Sequence, residues 1–399
     1  MIKTASRACL FIAALALAYM AFVYSSNVTL RRADPELAYR YRPNDALTLT
    51  AALNRRFQTP SALSFSDTDI ERIRSALGEA PLNRTLLRVL GAYYDLKGER
   101  GAAFRAMDLA NRVSRRDLIV ELWLAEYYGR NNEAKREVAH FNAALAVHPE
   151  LRNSTFDRMF IRLSDAGFRE GMREYIGSGA DWTRHFLVSS LDRDWRTVGE
   201  LIAPVLGRSA LGRDPELLSD LAWNYQRVGD TRQAVKLLSY LDKNFTVDRL
   251  SSLAVSSDPL KLDLGRFSWK SGEDDDIVYG FEDDGSLSVS VRPNGAGLVL
   301  QKDVMVNGGR SYDFASLIEQ EMDTDPVAIT WTFSCLSLDS KNVASPIGTA
   351  SKADSGRLSA KIALPGDCHI LRVVLSASGA DSQFGSNATI SRISIKPSR

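Results

Sequence analysis

Two stretches of the chain match each other at an offset of 34 residues, the separation of Leu90 from Leu124. The matched positions of the first stretch are Leu90, Gly91, Tyr94, Gly98, Ala103, Met107 and Ala110, and those of the second are Leu124, Ala125, Tyr128, Asn132, Glu137, Phe141 and Ala144. A related pattern returns at Leu221, Ala222, Tyr225, Gly229, Ala234, Leu238 and Leu241. Small and aromatic residues at this period indicate paired helices whose faces interlock. Because one pair cannot bury its apolar face alone, we predict a helical repeat domain over residues 27–250.

The pattern resembles the tetratricopeptide repeat (TPR), with good agreement over residues 84–149 and 215–245. The second stretch closes with Pro149, as the repeat does, but Arg115 stands where the first repeat would have its proline. Glu137 replaces the small residue expected in the second helix. The resemblance implies an α-solenoid that holds partner proteins and has no catalytic activity.

The register of that family also implies which side chains line a groove for an extended peptide or a loop of a partner protein. In this sequence they are Arg88, Asp95, Glu126, Arg130, Trp223, Gln226 and Arg227. The alternative for each is an ordinary surface residue.

The N-terminus carries a membrane signal. Lys3 and Arg7 precede an uncharged, largely apolar run of about 17 residues, Ala8 to Tyr24, short for a membrane span and long for the core of a signal peptide. Positive charges ahead of the run favour an orientation with the N-terminus inside, which exports the rest of the chain. We therefore expect residues 1–26 to form a membrane anchor, with a cleaved signal peptide as the alternative.

The period of the apolar residues changes from helical to two after a serine-rich linker, residues 251–262. Ile329, Trp331, Phe333 and Cys335 alternate with polar residues, and similar runs recur between Gly-containing turns up to the C-terminus. Short strands with one apolar face predict an antiparallel β-sandwich over residues 263–399, for which we favour a jelly-roll order. The fold class is therefore multidomain α plus β.

Two cysteines fall within the predicted sandwich. Cys335 has the inward phase of its strand, and Cys368 follows a Pro-Gly turn. In an exported protein such a pair predicts a disulfide, although two buried free thiols remain the alternative.

The sequence carries no recognisable catalytic or cofactor motif. Its four histidines lie in no HExxH or CxxC setting, and neither a GxSxG elbow nor a phosphate-binding glycine loop occurs. We expect no enzymatic activity, no cofactor and no metal centre. The acidic cluster Glu273 to Asp276 reads as a solvated loop, with calcium binding as the alternative. A net charge of +1 provides no global field that would attract nucleic acid.

The predicted sandwich offers a second binding function. Trp269 and Tyr279 flank the acidic cluster at strand edges and are candidates for stacking on sugar rings, with core packing as the alternative. The layout of an anchor, TPR-like helices and a sandwich with a Trp331-to-Cys335 strand resembles bacterial envelope proteins linked to exopolysaccharide production. It implies a single-pass inner-membrane protein with its bulk in the periplasm. We expect an adaptor for protein partners, with a carbohydrate-binding protein as the alternative.

Overall fold

The computed structural model describes residues 2–43, 45–57, 66–242, 245, 251–253, 264–272, 274–282, 284–321, 324–336, 345–381 and 385–398. Across these residues the chain forms thirteen α-helices followed by ten β-strands. The chain divides into two compact units, Met1–Met172 and Arg173–Arg399. The division falls within a helix, whereas the sequence predicted the boundary at the 251–262 linker, of which 254–262 lie outside the described residues.

The helices are α1 Ile2–Ala33, α2 Pro35–Tyr41, α3 Ala46–Phe57, α4 Asp67–Glu79, α5 Arg84–Leu96, α6 Arg100–Val113, α7 Leu118–Arg130, α8 Ala134–Val147, α9 Arg152–Arg162, α10 Ala166–Ser178, α11 Thr183–Ile202, α12 Pro215–Arg227 and α13 Thr231–Leu238. The strands are β1 Lys270–Ser271, β2 Ile277–Phe281, β3 Leu287–Val291, β4 Ala296–Met305, β5 Ser311–Gln320, β6 Ala328–Cys335, β7 Ser345–Lys352, β8 Gly356–Ala363, β9 Ile370–Ser378 and β10 Ser386–Pro397. The helical and strand-forming parts confirm the α plus β fold class.

The N-terminal helix contains one stretch long and apolar enough to cross a membrane. The most apolar part of this stretch, Ile12–Ala33, is not buried inside the protein. A signal sequence would have the same length and composition, so the direction of insertion and the compartment stay predictions.

Helix pairs in the first unit follow the sequence repeat. The turns of the pairs α5–α6 and α7–α8 contain Gly98 and Asn132, which have φ of 78° and 59°. This left-handed region favours Gly and Asn, which is why these residue types recur at matched positions. Within the first pair, a Cβ on Gly91 would lie 2.8 Å from Cγ of Met107, so the small residue makes room for the large one.

Capping side chains begin several of the helices. Ser66 accepts from the backbone N–H of Asp69, whose carboxylate accepts from the N–H of Ser66, which forms a capping box at the start of α4. Asp34 caps α2, with Pro35 in its first turn. The helices that follow enclose a core of buried apolar residues, among them Leu49, Leu53, Ile70, Ile73, Leu86 and Val89.

The strands of the second unit form two five-stranded sheets with the orders β1-β4-β9-β6-β7 and β2-β3-β10-β5-β8. Neighbouring strands pair antiparallel. Without the added edge strands β1 and β2, the eight strands β3 to β10 form two four-stranded sheets in jelly-roll order. The predicted topology is therefore confirmed.

Apolar residues from both sheets fill the space between them. Trp331, Phe333 and Phe314 are fully buried, and Phe314 lies 5.2 Å from Trp331 and 4.8 Å from Phe333 between ring centroids. Cys335 at the end of β6 is joined to Cys368 just before β9 by a disulfide, with Cα atoms 5.7 Å apart. The predicted pairing is confirmed. The disulfide links the end of β6 to the beginning of β9, its neighbour in the same sheet.

Candidate functional site

Three of the predicted groove residues lie around open cavities of the first unit. Asp95 on α5 and Glu126 and Arg130 on α7 border a cavity of about 150 Å³. Glu126 and Arg130 also border a second cavity of about 520 Å³, formed with α8 and α9. Because the two cavities share these residues, they form one surface, which we call the partner groove. Its other lining residues are Arg100, Leu122, Trp123, Tyr127, Gly129, Asn131, Glu137, Phe141, Arg158, Ile161 and Arg162.

A stack of three aromatic rings contributes Trp123 and Tyr127 to the lining of the partner groove. Trp123 and Tyr127 have ring centroids 5.4 Å apart and planes 18° apart. Tyr127 stacks in turn on Phe104 at 4.6 Å and 19°. The three side chains are half-buried, and Ile161, which lines the larger cavity, is 74% exposed. Large apolar side chains left partly open beside a cavity are typical of binding surfaces.

Two ion pairs lie in the partner groove. Arg130 pairs with Glu126 one turn earlier in α7, and both side chains are exposed, so this pair can open at little free-energy cost. Arg162 donates from Nε and a terminal nitrogen to the two oxygens of Glu137, at 2.9 and 3.0 Å. Burial raises the pKa of Glu137, against the lowering effect of Arg162. The partner groove therefore has a fixed polar floor and a rim that can adapt.

The buried carboxylate of Glu137 explains its departure from the repeat pattern. A Cβ on Gly129 would lie 2.8 Å from Oε1 of Glu137, so the glycine leaves the room that the carboxylate occupies. In the first repeat the matching positions hold Asp95 and Ala103, and the small residue is on the other helix. The two repeats thus exchange the large and the small side chain between their helices.

Arg88 does not line the groove. It is buried, and it donates to Asp117 at 2.7 Å and to Asn54 at 2.9 Å. Asp117 is also the N-cap of α7. Its guanidinium joins α3, α5 and the start of α7, so the predicted exposure of Arg88 in a groove is wrong.

Trp223 and Gln226 are buried, because the sandwich of the same unit covers them. Trp223 is 4% and Gln226 2% exposed. The indole Nε1 of Trp223 donates to Asp303 Oδ2 at 3.0 Å, and Nε2 of Gln226 donates to the carbonyl of His369 at 3.0 Å. Their predicted exposure in a groove is therefore wrong. The half-buried Arg227 lies over the Trp223 ring, with Cζ 5.0 Å from the ring centroid.

Charged residues complete the contact of α12 with the sandwich. Arg372 donates to both oxygens of Asp303, at 2.8 and 3.1 Å. Arg266, just before β1, donates to Asp220 on α12 at 2.5 Å and lies over the Trp223 ring. This contact surface is a network of paired charges around one indole, and it makes α12 part of the sandwich unit.

The two carbohydrate candidates on the sandwich are separated. Trp269 is half-buried and packs on the core, 6.3 Å from Trp331 between centroids, with Nζ of Lys302 5.8 Å from its ring. Burial lowers the pKa of Lys302 to about 8. Tyr279 also packs against the core, although it borders an open cavity of about 600 Å³. The structure therefore shows both rings in the core contacts that were the alternative to sugar stacking.

The cavity beside Tyr279 lies over the outward-facing side chains of β2, β3, β5 and β10, and we call it the sheet groove. Its polar lining residues include Ser288, Ser290, Glu319, Glu321, Asn387 and Thr389. Nδ2 of Asn387 donates to Glu321 at 2.6 Å. Hydroxyl, amide and carboxylate groups on one sheet face can exchange hydrogen bonds with a polar ligand.

The acidic loops near the sheet groove are held by contacts within the chain. Asp274 Oδ1 accepts from the N–H of Asp276, and Asp284 accepts from the backbone and hydroxyl of Ser286. Glu273 and Asp283 lie outside the described residues. In the described part of the chain, no group of three or more His, Cys, Asp or Glu side chains is arranged to hold a metal ion.

The aromatic residues of the partner groove were not predicted from the sequence. Trp123, Tyr127 and Ile161 were not singled out, although α7 has apolar residues around most of its circumference. A helix that is apolar on nearly every side must be covered on every side or expose a binding face. The apolar residues around α7 were therefore the sequence feature that could have predicted a binding face on this helix.

No protein-family profile and no curated protein matches the chain. Solved structures match at low similarity. A CBM4 structure has a TM-score of 0.26 at 12% identity and covers 38% of this chain and 100% of its own. TmCBM61 in complex with beta-1,4-galactotriose has a TM-score of 0.24 at 14% identity, and the match covers 36% of this chain and 99% of the matched chain. The structure of accessory secretory proteins 1, 2 and 3 of Streptococcus pneumoniae has a TM-score of 0.24 at 14% identity. The match covers 33% of this chain and 92% of the matched chain. At these TM-scores the matches carry no argument about function.

Proposed function

We propose that this chain is a membrane-anchored adaptor without enzymatic activity, whose TPR-like helices bind a protein partner in the partner groove. The observation that carries the proposal is the half-open stack of Trp123, Tyr127 and Phe104, whose first two rings line the groove together with the exposed Ile161 and exposed arginines. Trp, Tyr and Arg are the residues that most often dominate the free energy of protein–protein binding. An extended segment with apolar side chains and charges of both signs fits this surface.

The same proposal places the chain in a bacterial inner membrane, with one span, the N-terminus inside and the bulk in the periplasm. Lys3 and Arg7 ahead of the apolar run support that direction of insertion. A disulfide between Cys335 and Cys368 fits an oxidising compartment. A role in exopolysaccharide synthesis or export rests on the resemblance of the layout alone.

The adaptor proposal is tested by photo-crosslinking in the native membrane. A benzophenone amino acid at position 126, in the groove, is expected to give an adduct of one discrete mass, whereas one at the exposed position 112 gives none. Trp123→Ala should abolish the adduct, because loss of a central aromatic residue costs at least about 2 kcal/mol, roughly 30-fold in Kd. Leu109→Ala, on α6 and outside the groove lining, is the matched control and should leave the adduct intact. Equal adducts from positions 126 and 112, or one that persists in Trp123→Ala, would contradict the proposal.

A second candidate function is glycan binding in the sheet groove. It is favoured by the hydroxyl, amide and carboxylate groups around a cavity of about 600 Å³. In affinity electrophoresis through acidic and neutral polysaccharides, the full chain should be retarded by its ligand. Asn387→Ala should weaken that retardation by about two- to tenfold in Kd, the contribution of one or two hydrogen bonds. Ser351→Ala, at a hydroxyl on the other sheet that lies 3.0 Å from Thr330, should have no effect. Equal retardation of both variants would exclude the sheet groove.

A further inference from the structure

The first helix does not end where its apolar run ends. The apolar run gives way to Ser25, Ser26 and Asn27 after Tyr24, but α1 continues without a break to Ala33. Nine further residues add about 13 Å of helix beyond the run. Several of them are half-buried against α2 and α3. The span and the first helices of the unit therefore form one continuous body.

Polar contacts with Asn27 fix the position along the axis of α1 at which the start of α3 packs against it. Oγ1 of Thr48, which is fully buried, lies 3.4 Å from Oδ1 of Asn27. Asn27 also hydrogen-bonds to Asp45, the residue just before α3. Asn27 is three residues beyond Tyr24, which corresponds to about 4.5 Å along the helix axis. The loop between α2 and α3 is thus held within one helical turn of the end of the apolar run.

Apolar and basic side chains are exposed together where α2 ends and α3 begins, on either side of this loop. Tyr41 is 73% and Leu47 58% exposed, and Arg42 between them is exposed as well. Tyr24, on α1 at the end of the apolar run, is 72% exposed. Tyrosine and arginine beside an apolar side chain are the composition found at the boundary between lipid and water, where rings lie among headgroups and guanidinium groups reach phosphates.

We infer that Tyr41, Arg42 and Leu47 form a second membrane contact, which rests on the headgroup layer of the bilayer that α1 crosses. The inference rests on the proposed membrane anchoring and deepens it. The occupant is lipid, because the surface continues directly from a helix whose exposed apolar side chains need lipid around them, among them Ile12, Leu15, Leu17 and Phe22. A contact at two points, the span and the loop, would fix the tilt of the first unit and hold the partner groove in one orientation to the membrane.

The test is the accessibility of spin labels in the full chain, reconstituted in nanodiscs of phosphatidylethanolamine and phosphatidylglycerol. Tyr41→Cys and Leu47→Cys are labelled in a Cys9→Ser background, which removes the cysteine outside the disulfide. Leu17→Cys gives the reference for lipid, and Leu82→Cys and Leu96→Cys, exposed elsewhere in the unit, give the reference for water. The measured quantity is the ratio of relaxation by oxygen, which concentrates in lipid, to relaxation by a water-soluble nickel chelate.

The ratio at positions 41 and 47 is expected to shift from the values at 82 and 96 towards the value at 17. Ratios equal to those at 82 and 96, with position 17 in lipid, would overturn the second contact and leave the anchor intact. Shielding of positions 41 and 47 from both reagents would mean that protein covers them, which also overturns the assignment to lipid. A label at position 17 that is in water, or lost by cleavage, would overturn the anchor and the second contact together.

Discussion

Replacement of Asp303 with alanine is expected to lower the free energy of unfolding of the second unit by about 3–5 kcal/mol. The carboxylate is buried and accepts three hydrogen bonds, two from Arg372 and one from the indole of Trp223. Its loss removes the carboxylate from the partly exposed guanidinium of Arg372 and from the buried indole N–H of Trp223. Asp303→Asn should have a smaller effect, because an amide oxygen still accepts from Trp223.

The measurement is denaturant unfolding of the full chain in detergent, followed by tryptophan fluorescence. Trp331 is fully buried and Trp223 nearly so, so both report on this unit. Asp313→Ala, on an outward position of β5, is the matched control and is expected to change stability by less than about 0.5 kcal/mol. If Asp303→Ala and Asp313→Ala unfold at the same midpoint, the α12–sandwich contact does not stabilise the unit.

Removal of the disulfide, in the double variant Cys335→Ala and Cys368→Ala, is expected to destabilise the same unit by about 3–4 kcal/mol. The bond closes a loop over a sequence separation of 33 residues, and its loss restores the conformational entropy of that loop to the unfolded chain. Both residues are buried, so the alanines also leave small cavities.

The unfolding midpoint with and without reductant measures this effect directly. The wild-type midpoint should fall under reducing conditions, and the double variant should not respond to reductant. Cys9→Ser is the control and should behave as the wild type does. A wild-type midpoint that reductant leaves unchanged would contradict a stabilising disulfide.

Much of the fold was predictable because it depends on residues close in sequence. The left-handed turns at Gly98 and Asn132 and the capping box at Ser66 are local features with side-chain signatures. The strands of the sandwich and the inward phase of Trp331 follow from alternation. The pairing of Cys335 with Cys368 needed only two cysteines in one small domain.

The covering of α12 was not predictable because it depends on residues far apart in sequence. Trp223 meets Asp303 across 80 residues, and Gln226 meets His369 across 143. Strand β4 is buried at every position from Lys302 to Met305, so it is covered on both faces. A strand that is buried on both faces normally has a continuous run of apolar residues. In β4 that run is interrupted by Lys302 and Asp303, so the hydrophobicity pattern did not predict that the strand is covered on both faces.

Hydrogen–deuterium exchange of the full chain, alone and with the partner identified by crosslinking at position 126, tests the central claim most directly. The account predicts slower exchange over residues 95–131, which hold the aromatic stack and the rim of the partner groove, with no change over 215–227 or 387–389. Protection confined to 387–389 and the neighbouring strands of the sheet groove, with residues 95–131 unaffected, would contradict it.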